Sequence, residues 1–385
     1  MITNGTGYNR NKIRRPAGAP VNRKYSEIEF SLLDHARTIR RAIIGAILLA
    51  IGIVVHWTLS APKPDIFRIT GASMAPTMMG ETRQARCQPC GLDWPVDAAM
   101  ADYGVCWHCG EPVKADEPKA GDRVEVRAID EIRTGDLVAF HRDDLASVKR
   151  IVGVPGATIG LRGLELRVND RAIRSEARLP VDLDDHRAVS RWRPTIRSED
   201  RHWSLDARDA TWIVYHHASV HDQNRPSPVW DDYPVNLGLS RPLESVQNLE
   251  LCCDVIDAST DAVLRVLQYG DSGICFADVM LRAGEKVYIS ADQLFSGKLH
   301  ELAPETPIAF RIQSGSAAVA GLSIYRSVLY RLRRRDDRSR YPIALGDGQY
   351  FVLGDNVPIS IDSRDHGPIP ESKIIGKVVV LPSSP

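Results

Sequence analysis

The stretch Ala42 to Leu59, AIIGAILLAIGIVVHWTL, most restricts what this chain can fold into. At 1.5 Å per residue, roughly 18 helical residues reach about 27 Å, just enough for a bilayer core. Its one polar member near the far end, His56, stands beside Trp57, where an interfacial pair belongs. Arg37, Arg40 and Arg41 precede the run, and only Lys63 and Arg68 follow closely. That asymmetry puts the N-terminus in the cytoplasm and everything after about residue 60 outside it. A cleaved signal peptide is the alternative, but the basic lead is too long for an n-region and no A-x-A site follows. The expectation is an uncleaved anchor over 37–60, behind a basic, patternless cytoplasmic tail over 1–36.

Beyond the run, short alternating segments bounded by Gly, Asn and Asp predict antiparallel β structure. Asp122 to Val126, Asp136 to Phe140, Val148 to Val152 and Leu164 to Val168 are the first set. A second set lies at Leu249 to Val255, Val263 to Tyr269, Ile274 to Leu281, Lys286 to Ser290, Ile308 to Ile312 and Ala318 to Ile324. Six short strands at such spacing predict a sandwich or extended sheet. The segment up to about 240 carries Trp192, Trp203, Trp212 and Trp230 among Asp, Arg and Pro, and reads as packed loops. Lys plus Arg equals Asp plus Glu at 49 each, so the charge balance asks for no nucleic acid.

The seven cysteines are not scattered. Cys87-Gln88-Pro89-Cys90-Gly91 and Cys106-Trp107-His108-Cys109-Gly110 give C-x2-C-x15-C-x2-C, within the range of a zinc ribbon. Four thiolates close a tetrahedral site with no open position, so a structural Zn²⁺ is expected, with His108 a bystander. Two disulfides or a redox CxxC are the alternatives. Cys252, Cys253 and Cys275 read as buried strand residues. His216, His217, His221 and Asp222 match no metal template.

Four ordered stretches remain: Gly71-Ala72-Ser73-Met74-Ala75-Pro76-Thr77; Gly135-Asp136-Leu137-Val138-Ala139-Phe140; Ser147-Val148-Lys149-Arg150-Ile151-Val152-Gly153-Val154-Pro155-Gly156; and Gly354-Asp355-Asn356-Val357-Pro358-Ile359-Ser360-Ile361-Asp362-Ser363-Arg364. Pro76 argues against a helix through Ser73, which therefore falls in a turn beside the extended run Ile66 to Thr70. In this order the stretches resemble the bacterial type I signal peptidases, the Ser/Lys family, over about 60–180 and 341–385. The resemblance implies a mainly β, antiparallel catalytic core with one N-terminal transmembrane helix. Its parts fall at 61–86, 115–180 and 341–385, interrupted by a zinc-ribbon-like insertion at 87–114, which most members lack, and an enlarged β-rich, sandwich-like insertion at 181–340.

By the same resemblance Ser73 is the nucleophile, with its backbone N–H serving the oxyanion, Lys149 the general base, and Ser360 the residue that orients the lysine. Arg150 with Asp355, and Asp362 with Arg364, are bracing ion pairs. Gly71 stands where some members place a second oxyanion serine. Val357 and His366 depart from the family's pattern and are expected at the loop surface. A lysine near its ordinary pKa of about 10.4 is useless as a base at neutral pH, so Lys149 must be buried; a pKa of about 8 would leave about 10% neutral at pH 7. Catalysis then needs no cofactor. The partners implied are signal peptides of secreted preproteins and the lipid bilayer, with the catalytic domain on the outer side of the inner membrane. A self-cleaving Ser/Lys peptidase of the repressor type, and a non-catalytic or processing-specialised surface protein that uses the ribbon and β insert for binding, are the competing readings.

Overall fold

The computed structural model describes residues 39–53, 65–100, 102–143, 145–183, 191–194, 202–236, 239–270 and 272–382. The chain divides into two compact units, Met1–Lys63 and Pro64–Pro385. In the first, residues 39–53 form an α-helix whose Ile and Leu residues are about half exposed or more. Fifteen residues rise about 22 Å. No helix among the described residues is long and apolar enough to cross a membrane. The remainder of the expected span, with His56 and Trp57, lies outside the described residues.

The second unit is built from antiparallel strands. Its central sheet runs in the order Asp65–Arg68, Arg123–Arg127, Ile374–Val380, Leu137–Arg142, Leu145–Gly153, Gln349–Leu353, Ile369–Pro370. Alternation along these strands sends Val138 and Phe140, with Ile151 and Val352, into one apolar cluster. Met74, Met78, Val124 and Ala139 form a second. A four-stranded sheet, Arg171–Ala172, Glu165–Val168, Thr158–Arg162 and Ile343–Ala344, adjoins it through a third cluster that includes Ile159, Leu166 and Phe351.

The cysteine segment forms two hairpins, Thr82–Cys87 with Leu92–Asp97 and Tyr103–Val105 with Pro112–Lys114. The first tethers back to the core by backbone bonds between Thr82 and Lys119. Gly121, just beyond, lies so close to the chain leading to the serine turn that a Cβ would come within 2.0 Å of the Ile69 carbonyl oxygen.

All six strands expected between 249 and 324 form, and they fall into two sheets. One contains Arg174–Leu183, Ser316–Leu329, Leu249–Ala258 and Lys286–Ile289, with Trp203–Asp206 also paired to Ser316–Leu329. The other contains Trp192–Arg193, Ile213–Tyr215, Ile308–Ser314, Val263–Gly270, Gly273–Met280 and Gln293–Leu294. Their inner faces share one core: Leu251, Val255 and Ile324 from the first, Leu264, Val266 and Phe310 from the second. Trp192 and Trp203 are in this core. The segment expected as packed loops thus contributes strands, because β-branched runs as short as Ile213–Tyr215 gain stability only from the sheet they join. Arg174–Leu183 pairs along Ser316–Leu329, so the insert leaves and re-enters the core as a two-stranded neck.

Candidate active site and thiol cluster

Ser73 is the middle residue of a 3-10 turn, Ala72–Met74, closed by Ala75 N–H to Ala72 O. The turn follows the edge strand Asp65–Arg68 by a few residues; against the expectation that Pro76 keeps helix away from Ser73, a single 3-10 turn carries the serine, and it ends at the extended Ala75 just before Pro76. At its N-terminal end the amides have no partner inside the turn itself. Gly71, ahead of it, is exposed, and a Cβ there would meet nothing within 4 Å.

Lys149 sits inside the strand Leu145–Gly153, opposite Val138, and is 4% exposed. Its Nζ donates to Ser73 Oγ at 2.8 Å and to Val148 O at 2.9 Å. Burial pulls its pKa down from 10.5 to about 8; Arg142 and Arg364 act the same way, against the opposing pull of Asp362 and Asp355. The ammonium is therefore disfavoured by its surroundings, and a neutral amine in contact with a hydroxyl is a base in place.

The loop after Gln349–Leu353 wraps behind the serine. Asn356 donates its backbone N–H to Ser73 O at 3.1 Å and its Nδ2 to Ala72 O at 3.0 Å. Gly354 is wedged between the two serines of the site: a Cβ there would stand 2.1 Å from Ser360 Oγ and 2.5 Å from Ser73 O. Only glycine allows this approach. The hydrogen bonds formed by Lys149 go to Ser73 and Val148, not to Ser360. The Ser360 hydroxyl is fully buried and faces the Asp362 carboxylate, whose pKa it helps to lower.

Both expected ion pairs are present. Arg150 grips Asp355 with two bonds, Nε to Oδ1 at 3.0 Å and Nη2 to Oδ2 at 2.6 Å. Arg364 grips Asp362 the same way, at 2.9 and 2.7 Å, with both side chains fully buried. Burial alone would raise the Asp362 pKa, but Arg364 outweighs it and holds the carboxyl below its ordinary range. Asp362 also accepts from Gly354 N–H at 3.0 Å and caps the short helix Ser363–His366.

Asp355 carries more partners than the motifs predict. Thr77, Tyr330 and Ser175 donate to its carboxylate, and Tyr233 Oη donates to its carbonyl at 2.9 Å. Ser175 and Tyr330 lie at the core end of the neck. Thr77 was in view within the serine motif; the tyrosines lie in a stretch with no motif, so nothing in the sequence flagged them. One expectation is corrected: Val357 is not at the loop surface but buried in the cluster with Leu353 and Phe351, where an apolar side chain fits and a charged one would not. His366 is exposed, as expected, and bonded through Nδ1 to Gly367 O.

In the ribbon, the Sγ atoms of Cys87, Cys90, Cys106 and Cys109 all lie within 4.8 Å of one another, with Cys87 and Cys109 at 3.6 Å and all four thiols unpaired. A tetrahedron of 2.3 Å Zn–S bonds has edges of about 3.8 Å, so the donor set suits such an ion. Cys90 Sγ lies 3.6 Å from His108 Nδ1. Among the described residues the histidines of the insert form no metal-holding group: His217 pairs with Tyr215 Oη at 3.0 Å and His221 with Asp232 at 2.7 Å. Cys252 and Cys253 are buried and Cys275 is partly so.

Residues 39–208 and 284–381 match the sequence model of one family, described as signal peptidase, peptidase S26. The unmatched stretch between them falls within the sandwich. No curated protein matches the chain.

Proposed function

The chain belongs to the signal peptidase, peptidase S26, family of serine peptidases, and from that premise we propose that it is a membrane-anchored endopeptidase that removes N-terminal signal peptides with a Ser73/Lys149 dyad. The observation that carries the reading is a buried lysine amine 2.8 Å from the hydroxyl of the serine turn. Neutral Lys149 takes the Ser73 proton as Oγ attacks the scissile carbonyl, and returns it to the leaving amine. The Ser73 N–H faces the oxyanion. Water then attacks the acyl-enzyme, with Lys149 again the base. Ser360, buried close to Ser73 and against Asp362, orients the amine when substrate engages the serine. The ion pairs brace the loop and take no proton.

Substrate binds extended beside the edge strand Asp65–Arg68, with small residues at the two positions that alternation turns inward. The anchor over 37–60 holds the amino terminus in the cytoplasm and the catalytic unit outside it. A structural Zn²⁺ held by Cys87, Cys90, Cys106 and Cys109 stabilises the ribbon and takes no part in the chemistry. The test is cleavage of a synthetic signal-peptide substrate. Ser73→Ala and Lys149→Ala should each lower turnover by 10³-fold or more, with folding intact by circular dichroism. Substantial activity in Lys149→Ala would remove the dyad.

A further inference from the structure

The Asn236 side chain is 2% exposed and belongs to the 3-10 turn Pro234–Asn236, far in sequence from every motif of the site. It is nonetheless in contact with the site's own loop. Asn236 Nδ2 donates to Asn356 Oδ1 at 2.7 Å, and Asn356 Nδ2 donates to Asn236 Oδ1 at 2.9 Å. The second hydrogen of Asn356 Nδ2 goes to Ala72 O. Both donors and the acceptor of the Asn356 amide are thus committed. Three residues upstream, Tyr233 Oη reaches the carbonyl of Asp355, the residue before Asn356. Arg326 lies over the Tyr233 ring at 4.9 Å, and the ribbon strand Leu92–Asp97 packs against the turn.

Asn356 holds two successive carbonyls of the serine turn, Ala72 O and Ser73 O. Those two peptide planes set the direction of the Ser73 N–H and of Oγ. The Asn356 amide cannot rotate while the reciprocal pair exists. We infer that Asn236 is a positioning residue for the hydrolysis: the inserted region locks the Asn356 amide, and the locked amide fixes the serine turn in the attacking geometry. This rests on Ser73 being the nucleophile. Asn236 touches no reacting atom, and its effect belongs to kcat, since misaiming an oxyanion donor weakens the transition state more than substrate binding.

The experiment is steady-state cleavage of a synthetic signal-peptide substrate by the full chain, across pH and well below the thermal midpoint. The variants are Asn236→Ala and the near-isosteric Asn236→Asp, which keeps an acceptor for Asn356 Nδ2 but sets an anion against Asn356 Oδ1. Val319→Ala, in the sandwich core, is the comparator that loses stability away from the site. Both Asn236 variants should lose about 10- to 100-fold in kcat with KM within about twofold. The ascending limb of the pH profile should stay near that of wild type, because Lys149 keeps its burial. Val319→Ala should keep kcat. Equal kcat in the Asn236 variants and Val319→Ala would overturn the inference. So would a limb of Asn236→Ala that moves up toward an ordinary lysine, since that reports an opened site, not a misaimed serine. If Asn236→Ala does not fold, Asn236→Asp carries the test alone. Cleavage by a Ser73→Ala control would instead remove the reading on which the inference rests.

Discussion

Lys149 costs the fold stability. Its pKa in the folded chain, about 8, lies below the 10.5 of an ordinary lysine because burial disfavours the ammonium. Between those values the unfolded chain binds more protons, so stability rises with pH from about 8 to about 10.5, and the full penalty stands below pH 8. The difference is worth roughly 3 kcal/mol, less the two hydrogen bonds that the amine makes. Lys149→Met should therefore abolish cleavage while raising stability at pH 7 by about 1–3 kcal/mol and flattening its rise in alkali. Urea unfolding at pH 7 and pH 10 reads both effects. A variant less stable at pH 7, with the alkaline rise intact, would show that the lysine is not held against its charge. The same pKa sets activity: kcat/KM in wild type should climb through about pH 8 as the amine loses its proton.

At the scale of the element, the ribbon has too small a core to stand without help. Leu92, Trp94 and Val96 are its main buried aliphatic and aromatic side chains, beside the cysteines themselves. A structural zinc site of this kind contributes on the order of 10 kcal/mol to local folding. The ribbon leaves the core soon after Ser73 and packs on the turn that carries Asn236. Cys87→Ser or Cys109→Ser should lower the thermal midpoint and expose 87–109 to proteolysis, with only partial loss of activity. Metal content of the purified chain should fall from one Zn²⁺ to none. Native mass spectrometry that finds Cys87–Cys90 and Cys106–Cys109 disulfides and no metal would end the zinc reading and leave the peptidase reading untouched.

Across the whole molecule, the sandwich is not an appendage on a flexible link. Its neck strands deliver Ser175 and Tyr330 to Asp355, and its connecting segment delivers Tyr233 and Asn236 to the same loop. A module grafted only to bind a partner would not need to reach behind Ser73, which favours the proposed peptidase over a purely non-catalytic surface protein. The proposed topology has its own test. Protease added to spheroplasts should digest the chain beyond about residue 61 and spare the basic tail; digestion of the tail alone would reverse the orientation.

The sequence by itself determined the β character, the six sandwich strands, the four converging cysteines and both ion pairs. For the strands and the cysteines the signal is local, a period of two or a fixed C-x2-C spacing; the ion pairs came from the family resemblance, and Arg150 and Asp355 meet across 205 residues. It also singled out Ser73 and Lys149, though only as members of a motif, since 76 residues separate two groups that fold to 2.8 Å. Only the tertiary structure decided what surrounds them. That Val357 is buried, that Tyr233, Tyr330 and Ser175 converge on Asp355, and that Asn236 pairs with Asn356 depend on strands crossing far apart in the chain. A buried hydrogen bond leaves no periodic trace in sequence, because its two partners are chosen by the packing of whole sheets and not by their neighbours along the chain.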